Sequence, residues 1–213
     1  MCLYAGYRNT RFAPDARRAV VWRAIAAFVE RYIEPGASLV DLGSGYCDFV
    51  NAVRARRRWA VDLYMDPSEH AVEGVTPLRA DVCDLGALPE GEIDVVFASN
   101  ILEHLDDGKI VRLCEEVLRT LRPGGRFIIL GPNYRYAYRR YFDDYTHVKV
   151  LSDVSLADLL ASRGFEVERV FPRFLPFSMK GRGPRWGWLV ALYMRSPWKP
   201  FAGQMLVVAR KPA

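Results

Sequence analysis

Three aspartates stand where apolar runs give way to turns, at spacings suited to a nucleoside crevice. Asp41 follows Leu39 and Val40 and precedes Leu42 and the glycines Gly43 and Gly45. Strands normally avoid aspartate, so this carboxylate marks a strand ending where it faces a ligand. The glycines let the backbone turn sharply and approach that ligand closely. Asp62 lies twenty-one residues further on, in a second run from Arg58 to Leu63, where a carboxylate can accept from both hydroxyls of a ribose. Asp81 closes a third run, Val75 to Ala80; it can accept from an adenine amino group while the Val82 N–H donates to the ring. A fourth run, Ile93 to Ala98, ends at Ser99 and Asn100. Position 48 argues against a dinucleotide, because a glycine is wanted under a pyrophosphate and Asp48 would repel it.

Four strands with polar groups at their carboxyl ends describe one crevice along the top of a parallel sheet. The elements that must hold them are legible in the apolar spacing. Val20, Val21, Ala24, Ile25, Phe28, Val29 and Tyr32 predict an amphipathic helix over Ala13 to Ile33, stopped by Pro35 and Gly36. A second helix is predicted over Gly108 to Leu121, ended by Arg122-Pro123-Gly124-Gly125, which turns the chain into a strand from Arg126 to Leu130. Ser152 or Asp153 can cap a third helix, with Gly164 as its stop. Val167 to Phe171 and Gln204 to Ala209 read as the last strands. The connections 64–74 and 81–91 are too short for full crossover helices, so the fold is trimmed on that side.

The segments VDLGSG, AVDL, ADV, DVVFASNILEHL and LRPGGRFIIL, over roughly residues 38 to 131, resemble the class I S-adenosylmethionine-dependent methyltransferases. The resemblance implies an α/β, Rossmann-like fold: a seven-stranded sheet, mostly parallel, with the last strand antiparallel and inserted between its neighbours, and helices on both faces. It implies S-adenosylmethionine as cofactor. Asp41, Gly43, Ser44 and Gly45 would surround the methionine part, Asp62 and Leu63 the ribose, Asp81 and Val82 the adenine, and Asn100 the sulfonium side. His104 would brace the cofactor side. Cys47 departs from the glycine many members carry there.

The acceptor side is expected in residues 132–151. In-line methyl transfer asks the enzyme to align an acceptor with the methyl group and to take its proton. His147 has the ordinary pKa range of a base, and Asp143 or Asp144 could orient it or act instead; a structural histidine is the competing reading. Asn133, Tyr134, Tyr136 and Arg139 could line a pocket for a sugar or acidic acceptor, or the tyrosines could fold the loop back on the sheet. Asn100 is followed by Ile101 and Leu102 rather than prolines, and no Pro-Cys pair exists, which disfavours two modes of base methylation.

The 213 residues fit one domain, 1–213, with 51% hydrophobic and 26% charged residues typical of a globular protein. Its parts are an N-terminal helix region (1–37), the acceptor loop (132–151) and a basic aromatic insertion (172–201). Cys2, Cys47, Cys83 and Cys114 form no C-x-x-C pair and no ligand spacing with His70, His104 or His147; they read as reduced thiols, and no metal is expected. The arginines Arg8, Arg11, Arg17 and Arg18 have no apolar core before them, so no secretory signal is expected, and the longest apolar run, Trp186 to Met194, is far short of the ~18 residues of a span. A cytoplasmic protein is expected, with contact at the inner membrane face as an option.

The net charge of +5 is local. Residues 172–201 hold Arg173, Lys180, Arg182, Arg185, Arg195 and Lys199 without an acid, which leaves the rest of the chain near −1. That distribution points away from nucleic acid. Interleaved with Phe174, Phe177, Trp186, Trp188, Tyr193, Trp198 and Phe201, the segment is expected to be a lid, a homodimer contact or a peripheral membrane surface. The reading that follows is a methyltransferase for a small-molecule or glycan acceptor, most simply at oxygen. Its rival is a non-catalytic cofactor-binding subunit of a membrane-associated complex.

Overall fold

The computed structural model describes residue 15, residues 18–177 and residues 186–213. Cys2, Arg8, Arg11, Arg17, Lys180, Arg182, Arg185 and the first turn expected from Ala13 lie outside the described residues. Among the described residues there are seven strands: β1 (Ser38–Leu42), β2 (Arg57–Val61), β3 (Val75–Leu78), β4 (Ile93–Ser99), β5 (Leu121–Pro132), β6 (Glu166–Phe171) and β7 (Gln204–Arg210). They form one sheet in the order β3-β2-β1-β4-β5-β7-β6. Pairing is parallel through β5, and β7 runs antiparallel between β5 and β6. The helices are α1 (Arg18–Val29), α2 (Asp48–Ala52), α3 (Asp107–Thr120), α4 (Tyr134–Ala137), α5 (Asp153–Ser162) and α6 (Gly187–Arg195).

Successive strand residues face opposite sides of the sheet, and both sides are buried. Val40, Leu42, Val96, Phe127, Ile129 and Val207 pack with α3 and α5. Leu39, Val95, Phe97, Ile128, Leu130 and Val208 pack with α1, α2 and α6. Each fully buried Val, Leu, Ile or Phe here contributes roughly 1.5 to 3 kcal/mol. Asp41 shares the parity of Leu39, so its carboxyl is on the α1 and α2 side. The short connections after β2 and β3 hold only one helical turn, Pro67–Glu69.

One predicted boundary shifts substantially. The glycine-proline segment after α3 belongs to the sheet, because β5 begins at Leu121, directly after Thr120. Pairing jumps from Ile93↔Leu121 to Val95↔Arg126, so the extra residues form an irregularity in β5. Gly125 permits this, since a Cβ there would lie 2.9 Å from the Arg122 carbonyl oxygen and 3.0 Å from that of Ile93. Helix α5 begins as expected: Ser152 Oγ accepts from the Ser155 N–H, and Ser155 Oγ accepts from the Ser152 N–H in return. Gly164 follows at φ +94°.

Candidate active site

The glycine loop is held from below by β2. The N–H groups of Gly43 and Ser44 both donate to the Val61 carbonyl, at 2.8 and 3.1 Å. Gly45 N donates to Asp62 Oδ2 at 3.0 Å, while Asp62 Oδ1 accepts from Tyr64 N and Met65 N, each at 2.8 Å. Asp62 therefore ties the glycine loop to the turn after β2. A carboxylate has about four lone-pair sites, so acceptor capacity remains for a ribose hydroxyl. Leu63 stands partly exposed beside it.

Gly43, at φ +65°, lies against Ile101, whose Cδ1 is 2.0 Å from where a Cβ would fall. The positive φ favours glycine there, and any larger residue would also have to displace the Ile101 side chain. Cys47 takes the left-handed conformation at φ 57°, which glycine adopts without strain, and its side chain is buried. Burial pushes the Cys47 thiol up to about 11, which disfavours the nucleophilic thiolate. Cys83 and Cys114 are also free thiols, raised by burial to about 12 and about 11.

Asp41 is more enclosed than the sequence suggests. Burial raises its pKa well above the ordinary value; the Val50 N–H opposes that, and the charges of Asp62 and Asp48 add to it. Asp48 itself pairs with Arg18 at 3.1 Å. Three carboxylates thus gather around the glycine loop. This donor set fits S-adenosylmethionine, whose methionyl ammonium and sulfonium are cations and which carries no phosphate.

Along the crevice, Asp81 Oδ1 accepts from Cys83 N at 2.9 Å, which sets the turn that presents the buried Val82. Asn100 adopts φ +53°; its Nδ2 donates to Ser99 Oγ at 2.9 Å and its Oδ1 accepts from Gln204 Nε2 at 3.4 Å. Gln204, at the start of β7, is a contributor that sequence reasoning missed.

In the loop where the acceptor side is expected, the residues separate into two groups. Asn133 is fully buried: its Nδ2 donates to Asp153 Oδ1 at 2.9 Å and to the Pro172 carbonyl at 3.0 Å, and its Oδ1 accepts from Arg135 N at 3.2 Å. Its amide is consumed in joining α4, α5 and the chain leaving β6. Tyr134 packs edge-on against Tyr141, ring centroids 5.2 Å apart. Tyr136 lies under the Arg173 guanidinium at 4.4 Å, and Arg139 is exposed beside Tyr138. Tyr136 and Arg173 also border an open groove of about 340 Å³ with Phe171, Ser196 and Lys199.

His147 does not stand alone in the loop. Its ring is wedged between Tyr141, at 4.6 Å, and His104, at 4.9 Å. Asp144 Oδ1 accepts from Thr146 N at 3.1 Å and from Thr146 Oγ1 at 2.6 Å, and Thr146 in turn meets His104 Nδ1 through its carbonyl at 3.2 Å and its hydroxyl at 2.9 Å. Asp144 therefore orients His104 through Thr146. Glu103 completes the group: its Oε1 lies 4.0 Å from His104 Nε2. Burial pushes the Glu103 carboxyl up to about 8, its own backbone N–H opposes that, and the charge of Asp144 adds to it. Burial and the neighbouring His147 push His104 down to about 4. Ligand atoms of Glu103, His104 and His147 all lie within 4.8 Å of one another. Glu103 was missed because an acidic residue beside a histidine carries no sign of where its side chain points.

The insertion after β6 has two parts. Phe174 and Leu175 are buried in the core, and α6 packs Val190 and Met194 toward α1. Trp186 and Trp188 stack at 5.8 Å and remain exposed, as do Leu192, Trp198 and Phe201. Among the described residues, no helix is long and apolar enough to cross a membrane.

A family profile described as a methyltransferase domain matches residues 13–170. An uncharacterized methyltransferase of Mycolicibacterium gilvum is 31% identical over 199 residues, covering 79% of this chain and 72% of that protein. A probable S-adenosylmethionine-dependent methyltransferase of Mycolicibacterium smegmatis is 37% identical over 84 residues, or 38% of this chain; the match spans about a third of that relative, 32%. The solved structure of a SAM-dependent methyltransferase from Archaeoglobus fulgidus superposes with a TM-score of 0.68 at 18% identity, covering 98% of this chain and 99% of that one. At that identity the likeness speaks for the fold.

Proposed function

The chain belongs to the class I S-adenosylmethionine-dependent methyltransferase family, and on that premise we propose that it transfers methyl from S-adenosylmethionine to an oxygen of a small molecule or glycan. The observation that carries the reading is the glycine loop tied by Asp62 and surrounded by Asp41 and Asp48, a set of carboxyl groups that a cationic cofactor would favour in their charged form. Bound S-adenosylmethionine would supply the methyl group from its sulfonium, becoming the neutral thioether S-adenosylhomocysteine, while the acceptor hydroxyl would give up its proton as its oxygen takes the methyl. This chain's part is to align the two reactants and to receive or direct that proton.

Because His147 is wedged between Tyr141 and His104, we assign the acceptor-side chemistry to Glu103, His104 and His147 as a unit, with Asp144 as a positioning residue. Tyr134, Tyr136 and Arg139 border the acceptor's approach, and Arg173 brings the insertion to the same place. The exposed tryptophans support a further part of the reading, contact of residues 186–201 with an anionic membrane surface from which an acceptor is drawn.

The test is turnover. Purified protein incubated with methyl-labelled S-adenosylmethionine and panels of phenolic metabolites and nucleotide sugars is expected to release S-adenosylhomocysteine with label on an acceptor oxygen. Cofactor binding by calorimetry without turnover on any acceptor, or label found on nitrogen or carbon, overturns the reading.

A further inference from the structure

We infer that Glu103, His104 and His147 form a binding site for one divalent transition-metal cation on the acceptor side of the crevice. Binding at this site can be measured with neither cofactor nor acceptor present, so it stands or falls apart from the methyl-transfer reading.

Convergence is the first ground. A carboxylate oxygen and two imidazole nitrogens lie within 4.8 Å of one another, although His104 and His147 belong to loops after different strands. Metal–ligand bonds of about 2.0 to 2.2 Å put ligand atoms roughly 3 to 3.5 Å apart, so side-chain rotations of about an ångström close the set. The loops that carry the ligands are already joined by backbone: Val148 N and Lys149 N both donate to the Glu103 carbonyl, at 2.9 and 3.1 Å. The spacing therefore does not depend on two flexible segments meeting.

The second ground lies behind His104. A backbone carbonyl can only accept, so the contact of His104 Nδ1 with the Thr146 carbonyl at 3.2 Å assigns the proton to Nδ1. Nε2 is then left with its lone pair on the side of Glu103 Oε1. Thr146 Oγ1 donates to Asp144 Oδ1 at 2.6 Å, which fixes the residue that fixes the ring. A ligating histidine whose other nitrogen is held by a carbonyl, on a residue itself held by a carboxylate, has the usual outer support of a metal site.

The third ground is charge. Glu103 is enclosed, and among the described residues its carboxylate has no lysine or arginine in ion-pair contact. A buried carboxylate requires a compensating cation or a proton, and a bound metal supplies the former. Two imidazoles with one carboxylate favour Zn²⁺, Mn²⁺, Fe²⁺ or Co²⁺ over Mg²⁺ and Ca²⁺, which prefer all-oxygen surroundings. Three protein ligands leave positions open for water or an acceptor oxygen.

The experiment uses tag-free, full-length protein stripped with chelator and titrated with Co²⁺ and with Zn²⁺. One metal per chain is expected by calorimetry and elemental analysis, with visible Co²⁺ absorption bands and two exchangeable, strongly shifted imidazole N–H resonances in the proton spectrum. Glu103→Gln and His147→Gln, checked for folding by thermal melt, are expected to weaken binding at least about 100-fold, and Thr146→Val about 10-fold. His70→Ala, elsewhere in the fold, is expected to leave binding unchanged. Binding below one equivalent at micromolar metal, absence of the shifted imidazole signals in the unmutated protein, or affinity unchanged in both ligand variants overturns the proposal.

Discussion

Asp62 grips Gly45: the glycine N–H donates to Oδ2 of the aspartate at 3.0 Å, while Oδ1 takes the N–H groups of Tyr64 and Met65. The acid that the sequence suggests for a ribose is thus also the strut that holds the glycine loop in place. A cofactor contact and a structural tether coincide in one side chain.

Asp62→Ala is accordingly expected to do two things. Cofactor affinity should fall by about 1 to 3 kcal/mol, the usual loss for hydrogen bonds to a charged group. The melting temperature without cofactor should fall as well, because three backbone N–H groups lose their acceptor. Calorimetry and a thermal melt read the two effects; a normal melt with lost affinity would restrict Asp62 to the ligand.

Asn133→Ala should destabilise the fold by about 1 to 3 kcal/mol, since it leaves the buried Asp153 carboxylate and the Pro172 carbonyl without their donor. Urea denaturation measures this. A stability equal to that of the unmutated protein, with acceptor use altered, would return Asn133 to the pocket.

Asp94 predicts an acid limit to stability. Burial alone would raise its carboxyl, but the Ser38 N–H and hydroxyl and the Arg122 guanidinium outweigh burial and hold it below its ordinary 3.8. Since the folded pKa lies below the unfolded one, the contribution is complete above the unfolded value and is lost as pH falls through the folded one. The difference in urea midpoint between the unmutated protein and Asp94→Asn is therefore expected to be large at pH 7 and to shrink below about pH 4. A difference independent of pH refutes this.

Trp188 and Trp198 are 63% and 77% exposed, and Phe201 is 90% exposed. Sedimentation with anionic liposomes at low salt should carry the protein down, and Trp186→Ala combined with Trp188→Ala should weaken that binding while cofactor affinity is unchanged. Failure to sediment even at low salt removes the membrane contact.

Much of this architecture is written locally. Near-continuous apolar runs from Ser38 to Leu42 and from Gln204 to Arg210, a glycine turn after Asp41, the Ser152 cap and Gly164 are decided by neighbours along the chain, because strand burial, helix period and turn conformation are set over a few residues. So the fold class, the crevice and the aspartates at its edge are legible in the sequence alone. What the sequence does not encode locally is side-chain direction across distant segments. Only the packing of the loop after β4 against the loop after β5 turns His147 onto His104 and buries Glu103 beside them, and only the meeting of α4, α5 and the chain leaving β6 encloses Asn133. Those placements follow from which backbone groups pair over long separations, such as Val148 and Lys149 on the Glu103 carbonyl, and no periodicity along the chain carries that information.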